Sequence, residues 1–239
     1  LISGSASITY QDDKGVVKNT NYTRYGTRAN LEIRPNKKIK AGLNLNKLVS
    51  KNDYFNLEMN GGSDNLMLRM LIASPFNTLN EDGTNIFGET AKREAVFYEI
   101  MYKDMNISTD NTSASAYVDL TPIEGLSLRA QYSLSNENVL SQNFHSKNTI
   151  YGSSYNGVAK IANARDTYHQ AEGVATYHKN FKNTHDLKIT AGVSYLSYSA
   201  ETSSMNAHDF STESMSYYNI GAAAAIDNIA SSRQDKVNL

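Results

Sequence analysis

The chain has 239 residues, with 23 Lys and Arg against 24 Asp and Glu, 16 Tyr, no Trp and no Cys. The near-balanced charge excludes a broad basic surface for nucleic acid, and the lack of cysteine excludes disulfides, thiolate zinc sites and cysteine nucleophiles. Asn, Ser and Thr supply about 70 residues, above ordinary usage, while the apolar fraction of 40% and only three Pro favour a folded β-protein over a disordered chain.

The first part of the chain predicts an opening strand and then a hairpin. The opening strand is expected at about Ser3 to Gln11. From residue 27 to 34, and again from 39 to 46, apolar residues occupy every second position, which is the period of a strand with one apolar face. The sequence therefore predicts a hairpin at about residues 24–50. Its polar face carries a row suited to a wet interior: Arg28, Asn30, Glu32, Lys40, Asn44 and Asn46.

The segment from Ser50 to Thr112 is predicted to be a long loop that holds one short helix. Ser63 and Asp64 are good N-cap residues, the run 66–72 is mostly apolar, and Ser74-Pro75 is a stop signal. We interpret this helix as a stiffener of the loop. No stretch of the chain approaches the roughly 18 apolar residues of a membrane-spanning helix.

Two further hairpins are predicted, at about residues 112–138 and 168–200. The first turns at Pro122-Ile123-Glu124-Gly125, a Pro and Gly placement that suits a tight reversal. The second turns through residues 181–185. The chain between the hairpins, residues 136–166, and the chain after Ala200 are predicted to be long loops. About seven strands result, each with one apolar and one polar face.

Short turns that alternate with long loops favour an outer-membrane β-barrel. In that interpretation the apolar face touches lipid and the polar face lines a wet lumen. Tyrosines near strand ends would sit at the headgroup level, and six are candidates: Tyr10, Tyr22, Tyr25, Tyr177, Tyr195 and Tyr198. A soluble β-sandwich alternates in the same way, because one face of each sheet packs on a core. Periodicity alone leaves both architectures open.

Several stretches resemble the SusC/RagA family of TonB-dependent outer-membrane transporters of Bacteroidetes-type bacteria. They occur in the family's order along nearly the whole chain: Ser3-Gly4-Ser5, Ile8-Thr9-Tyr10, Gly15 to Thr20, Tyr22 to Tyr25, Arg28 to Leu31, Ala73 to Asn77, Asn80 to Thr84, Tyr117 to Leu126, Phe210 to Glu213 and Tyr217 to Gly221. Ser5 departs from the second glycine of the family's usual form.

The resemblance implies a part of a nutrient importer for glycans or peptides, located in the cell outer membrane. It implies contact with outer-membrane lipid, energy from TonB, and a SusD-like surface lipoprotein as partner. Family members are much longer, and this chain shows no plug domain. We therefore expect residues 1–239 to be a segment of the first part of the barrel, which stops within a loop after Gly221.

No motif in the chain predicts an enzyme or a cofactor. The five histidines form no HExxH pair and accompany no Gly-x-Ser-x-Gly elbow. His178 and His185 flank a turn and could approach each other. We interpret them as solvated turn histidines rather than as metal ligands. The loop Thr78–Glu89 matches several EF-hand positions, although Thr78 replaces the first Asp. A β-turn explains the same letters, so calcium binding at this loop stays open.

The polar row of the first hairpin could hydrogen-bond a polar solute or simply solvate a barrel interior, and the predicted loops add four tyrosines as substrate-binding candidates. An exposed tyrosine ring can stack on a sugar ring, although packing within the loop explains each of them equally well. The four candidates are Tyr151, Tyr155, Tyr217 and Tyr218. Three functions are carried forward: a SusC-like importer wall, a soluble carbohydrate-binding β-sandwich, and a small complete barrel, which would need an eighth strand after Ala222.

Overall fold

The computed structural model describes residues 1–54, 71, 99–181 and 185–239. They form one antiparallel sheet in which the strands lie side by side in chain order. The strands are β1 (Ile2–Lys14), β2 (Asn21–Asn36), β3 (Ile39–Asp53), β4 (Lys103–Leu120), β5 (Leu126–His145), β6 (Val158–Phe181), β7 (His185–Phe210) and β8 (Ala223–Asn238). The predicted all-β class with antiparallel hairpins is confirmed. Within the described residues β1 and β8 each have one neighbouring strand, so the sheet is open.

The connections differ sharply between the two ends of the sheet. At one end, which we call the turn end, residues 37–38 join β2 to β3 and residues 121–125 join β4 to β5. At the other end, the loop end, residues 15–20, 146–157 and 211–222 make the connections. Gly125 lies at the turn end with a φ of 82°, a conformation that glycine adopts without strain.

The strand register gathers the apolar residues on one face of the sheet, the apolar face. Leu31 lies opposite Leu43, Leu43 opposite Ala116, and Ala116 opposite Tyr132. These side chains are not covered: Leu31 is 42% exposed, Leu43 39% and Ile189 55%. The buried hydrophobic residues of the described chain all lie near the loop end instead: Phe144, Val158, Ala159, Ala207, Phe210 and Tyr217. An exposed apolar band fits a barrel wall in lipid, and the β-sandwich is therefore not favoured.

Successive side chains of a strand point to opposite faces of the sheet, so the position of each candidate tyrosine along its strand decides which face it occupies. Tyr10 and Tyr25 are paired on the apolar face with ring centroids 5.0 Å apart. Tyr177 and Tyr195 share that face, opposite Leu126 and Ala171. The two other tyrosines of the proposed girdle, Tyr22 and Tyr198, fall at even positions of β2 and β7, whose side chains occupy the opposite, polar face. For these two the prediction is wrong, because position near a strand end does not fix the face.

The strands are longer than the alternation indicates. β6 has 24 residues and β7 has 26, whereas a membrane crossing needs about 9–11. Much of the predicted loop 136–166 is therefore strand, and only residues 146–157 connect β5 to β6. The prediction of a loop after Ala200 is also wrong, because β7 continues to Phe210 and β8 follows. Both faces of these extensions carry polar residues, so no period of two marks them.

Two sequence predictions lie mostly or wholly outside the described residues. The predicted helix at 66–72 is represented only by Leu71, which is helical. The possible calcium loop Thr78–Glu89 lies entirely outside them. Among the described residues, no helix is both long enough and apolar enough to cross a membrane.

The buried core of the described chain sits at the loop end. A 3₁₀ helix, Ser216–Ala222, folds back over the sheet and buries Tyr217, which is 4% exposed. Tyr217 joins a cluster with Phe144, Ala159 and Phe210, and the Phe144 and Phe210 rings meet edge to face at 5.3 Å. This packing holds the β7–β8 connection against β5 and β6.

Candidate functional site: the polar face of the sheet

A shallow trough runs across the polar face, over strands β2 to β6. Its volume is about 400 Å³. The register places Arg28 opposite Asn46, Asn46 opposite Ser113, Ser113 opposite Ser135, and Ser135 opposite Tyr168. Arg28 is the one charged residue that lines the trough among the residues described. Apart from Leu45, Ala114 and Leu134, the residues that line the trough carry amides, hydroxyls and a single guanidinium at one side. The trough can therefore hydrogen-bond a polar solute.

A charged cluster closes the polar face towards the turn end. The Glu32 carboxylate contacts Lys40 at 2.9 Å and Arg34 at 2.6 Å, and it accepts a hydrogen bond of 3.0 Å from the Tyr117 hydroxyl. The Arg129 guanidinium lies 4.5 Å from the centre of the Tyr117 ring. The Glu32 carboxylate thus has three partners, and Arg129 packs on the ring of one of them, Tyr117. This network links β2, β3, β4 and β5. The predicted polar row is divided by it: Arg28, Asn30, Asn44 and Asn46 line the trough, whereas Glu32 and Lys40 belong to the cluster.

Two of the four candidate tyrosines, Tyr151 and Tyr155, come together at the loop end. Their ring centroids are 5.4 Å apart. His145 lies 5.2 Å from Tyr151, and His208 lies 5.6 Å from Tyr155, so four rings form one row. Lys160 places its ammonium 4.9 Å from the centre of the Tyr151 ring. His145 and His208 belong to the polar face by register, since each lies opposite Val158.

Tyr217 and Tyr218 lie apart from that row. Their rings are 4.6 Å from each other, but Tyr217 is buried in the core cluster, whereas Tyr218 is 71% exposed. Burial raises the pKa of the Tyr217 phenol far above its ordinary value, with the neighbouring Tyr218 hydroxyl and Asp104 adding to the shift. The fold therefore gives Tyr217 a packing role, and only Tyr218 of this pair is open to a ligand.

The two loops at this end are bonded to each other. Glu213, in the β7–β8 connection, accepts hydrogen bonds of 2.6 Å from the Ser146 hydroxyl and from the Lys147 amide. Asn156 donates its side-chain amide to Asp209 at 2.7 Å, and the Phe210 amide donates to the Asn156 carbonyl. These bonds place loop 146–157, which carries Tyr151 and Tyr155, against the end of β7 and the β7–β8 connection.

Two of the five histidines, His178 and His208, lie beside carboxylates. His178 pairs with Asp186 at 2.5 Å, so the approach of His178 to His185 considered from the sequence is not what the sheet produces. His208 pairs with Asp227 at 2.8 Å and not with its neighbour Asp209. Across the described residues, no group of three His, Asp or Glu side chains converges as metal ligands would.

Sequence reasoning missed three members of these sites. His145, His208 and Tyr168 gave no motif, because each belongs to its site only through long-range strand register. Tyr168 could have been found in part from the sequence. It begins the predicted third hairpin, at a position whose side chain alternation assigns to the polar face. His208 carried none, because it stood in chain that was predicted to be loop.

An exposed apolar face backed by a hydrated polar face is the arrangement of a transmembrane β-barrel wall. The described sheet is therefore an open part of such a wall. The polar face, with the trough and the ring row, is the side that would meet solute.

Comparison with known proteins agrees with this class. TonB-dependent receptor P3 of Formosa agariphila is 26% identical over 223 residues, which are 91% of this chain and 22% of that protein. Structures of the RagAB peptide transporter, and of the RagAB peptide importer in its 'open-open' state, superpose with a TM-score of 0.74 at 21% identity. The 'closed-closed' state gives a TM-score of 0.71.

The three structures match 99% of this chain and 27% of the chain compared. The chain thus spans about a quarter or less of the proteins that it matches. No protein-family model matches it. The matched proteins are a TonB-dependent receptor and a peptide transporter, and their similarity to this chain agrees with the resemblance that the sequence motifs indicate.

Proposed function

We propose that this chain forms part of the barrel wall of an outer-membrane, TonB-dependent nutrient importer of the SusC type. The proposal is supported by the exposed apolar band on one face of the sheet and by the trough, lined largely by amides and hydroxyls, on the other. Lipid would cover the apolar face, and solute would pass along the polar face. The loop end would face the exterior, with the ring row of His145, Tyr151, Tyr155 and His208 at the mouth.

The substrate class in this proposal is an oligosaccharide or a peptide. The likeness to the RagAB peptide transporter supports the peptide, while exposed tyrosine rings suit either. The importer would draw energy from TonB and would work with a SusD-like surface lipoprotein. Its part in transport is binding and passage without covalent chemistry, since the motifs of an enzyme are absent from the sequence.

Cysteine labelling tests the topology directly, because this segment has no native cysteine. In the full-length protein in cells, Leu43→Cys and Asn44→Cys place thiols on adjacent residues of opposite faces. We expect a water-soluble maleimide to label Asn44→Cys and to leave Leu43→Cys unmodified until the membrane is dissolved. Equal labelling of both positions in intact cells would contradict a lipid-facing apolar band.

Uptake tests the transport role. Growth on candidate oligosaccharides or peptides, with and without the gene, should identify a solute whose use requires this protein. That use should stop when the TonB system is inactivated. If the gene still supports growth on that solute when TonB is inactive, the wall belongs to a different kind of barrel.

A further inference from the structure

Arg28 carries a charge that is uncompensated within the described structure. It points from β2 onto the polar face and is exposed. Among the described residues its guanidinium forms no hydrogen bond and no ion pair. The nearest carboxylate along its own strand face is Glu32, four residues away and thus roughly 13 Å along the strand. Glu32 is already engaged by Lys40, Arg34 and Tyr117.

The acidic residues towards the loop end are also engaged, and they lie outside the trough. Glu137 accepts a hydrogen bond of 3.0 Å from Asn111, and Asp166 accepts one of 2.9 Å from the Tyr198 hydroxyl. Neither residue lines the trough. The trough itself therefore offers one cation, with neutral donors and acceptors around it.

The neutral lining continues directly from the guanidinium. Asn46, Ser113 and Ser135 follow Arg28 across three strands. Tyr168 ends the row, 42% exposed and with its ring 4.5 Å from that of Tyr198. Four strand spacings separate Arg28 from Tyr168, which is roughly 19 Å at the usual strand separation. Such a length fits several units of an extended oligomer, rather than a single small ion.

We infer that the trough is a subsite for an oligomeric solute that carries an oxyanion, with Arg28 binding the oxyanion. A guanidinium forms paired hydrogen bonds with a carboxylate or a sulfate, which a neutral amide cannot match. Asn46 and the serines would bind the hydroxyls or amides of the solute, and the Tyr168 ring would pack on its apolar side. The inference rests on the proposed importer function and names the chemistry of its substrate.

The two sources of such an oxyanion are an acidic sugar and the carboxyl terminus of a peptide, and paired probes separate them. The peptide pair is N-acetyl-trialanine and N-acetyl-trialanine amide, whose blocked amino ends carry no charge. The sugar pair is digalacturonate and its dimethyl ester. Binding of each probe to the intact full-length protein in detergent is measured by titration calorimetry. We expect the anionic member of one pair to bind about tenfold more tightly than its neutral partner.

Substitutions then assign that preference to Arg28. Arg28→Gln should bring the anionic probe down to the affinity of its neutral partner and leave the neutral probe unchanged. Arg28→Lys should retain part of the preference, since it keeps the charge but loses the paired geometry. Arg24→Gln is the matched control, because Arg24 has the same parity on β2 but lies outside the trough, and it should change nothing.

Three results would overturn the inference: equal affinity for both members of each pair, an equal loss for both in Arg28→Gln, or no binding of either anionic probe at millimolar concentration. Uptake by cells is measured in parallel, so that the two proposals can fail separately. Arg28-dependent binding without TonB-dependent uptake would remove the importer function and keep the subsite. TonB-dependent uptake that is unchanged in Arg28→Gln would keep the importer function and remove the subsite.

Discussion

Single residues set the shape of the loop that carries Tyr151 and Tyr155. Thr149 caps the short helix Ile150–Ser153, accepting a hydrogen bond from the Gly152 amide at 3.1 Å and donating one to the Ser146 carbonyl at 2.7 Å. A β-carbon at Gly152 would collide with the backbone carbonyls of His145 and Ser146. Backbone cannot yield as a flexible side chain can, so this position requires glycine.

Gly152→Ala should therefore loosen the loop 146–157. We expect hydrogen exchange within these residues of the full-length protein to rise at least several-fold, while exchange in β3 and β4 stays unchanged. Gly221→Ala is the control, because the nearest atom to its new methyl group would be 3.7 Å away. Unaltered exchange in Gly152→Ala would mean that the close packing of this turn does not hold in solution.

Asp104 gives the loop end a dependence on pH. Desolvation raises the pKa of its carboxyl above the ordinary value, and the Ser216 hydroxyl, which donates to it at 3.3 Å, only partly offsets this. Asp53 raises the pKa further and Lys51 lowers it. Since the folded state binds the proton more tightly than the unfolded state, the stabilisation is complete below the ordinary Asp pKa and is lost as pH rises through the elevated value.

Exchange protection of residues 211–222 should accordingly be higher at mildly acidic pH than at neutral pH. The comparison is made after correction for the intrinsic pH dependence of exchange. In Asp104→Asn that pH response should shrink, because the carboxyl that titrates is gone. If the mutant keeps the full response, another group is responsible.

At the scale of elements, the 3₁₀ helix Ser216–Ala222 shows how an irregular segment is fixed by one ring. Tyr217 fills the space between Phe144, Ala159 and Phe210, and its neighbour Tyr218 remains in solvent. The two adjacent tyrosines therefore provide a matched pair of the same chemistry, one buried and one exposed.

Tyr217→Ala should destabilise this packing by about 3 kcal/mol, the usual cost of truncating a buried aromatic residue. Limited proteolysis of the full-length protein should then cut within residues 211–222, which the wild type and Tyr218→Ala should both resist. Cleavage in both mutants alike would show that the segment is not held by the buried ring.

The elements differ in how far sequence could predict them, and the reason is the environment of each face. β2 and β3 were predicted closely because lipid and lumen impose opposite polarity on alternate residues. β8 was missed, since Ala230 to Lys236 is polar on both faces and a register shift at Asn206 and Ala207 further breaks the period. The trough could be anticipated in part, because parity placed Arg28 and Asn46 on one face. Tyr168, which lines the other side of the trough, is more than a hundred positions away along the chain. Only the strand register brings it to the same trough.

At the scale of the whole molecule, the proposed importer has the sheet separate lipid from water. Ala116 lies opposite Leu43 and Tyr132 within the apolar band and is exposed. Ser133 lies on the polar face of the neighbouring strand and lines the trough. The same new side chain should therefore destabilise the protein much more at the first position than at the second.

Ala116→Arg should destabilise the barrel by about 2–4 kcal/mol, the usual cost of an Arg near the bilayer midplane. Ser133→Arg should cost far less, because water surrounds its side chain. The folded fraction in membranes, measured by the heat-dependent shift in electrophoretic mobility of the full-length protein, checks this. Equal folding of both mutants would argue that the apolar band is not in lipid.

The bonds from Glu213 to Ser146 and Lys147, and from Asn156 to Asp209, have a consequence for how such a mouth can diversify. Loops 146–157 and 211–222 form one unit, so neither can be exchanged between related barrels without its counterpart. A chimera that inherits both from the same parent keeps the interlock, whereas one that mixes parents leaves a carboxylate without its donors. Recombination would therefore transmit the two loops as a linked pair.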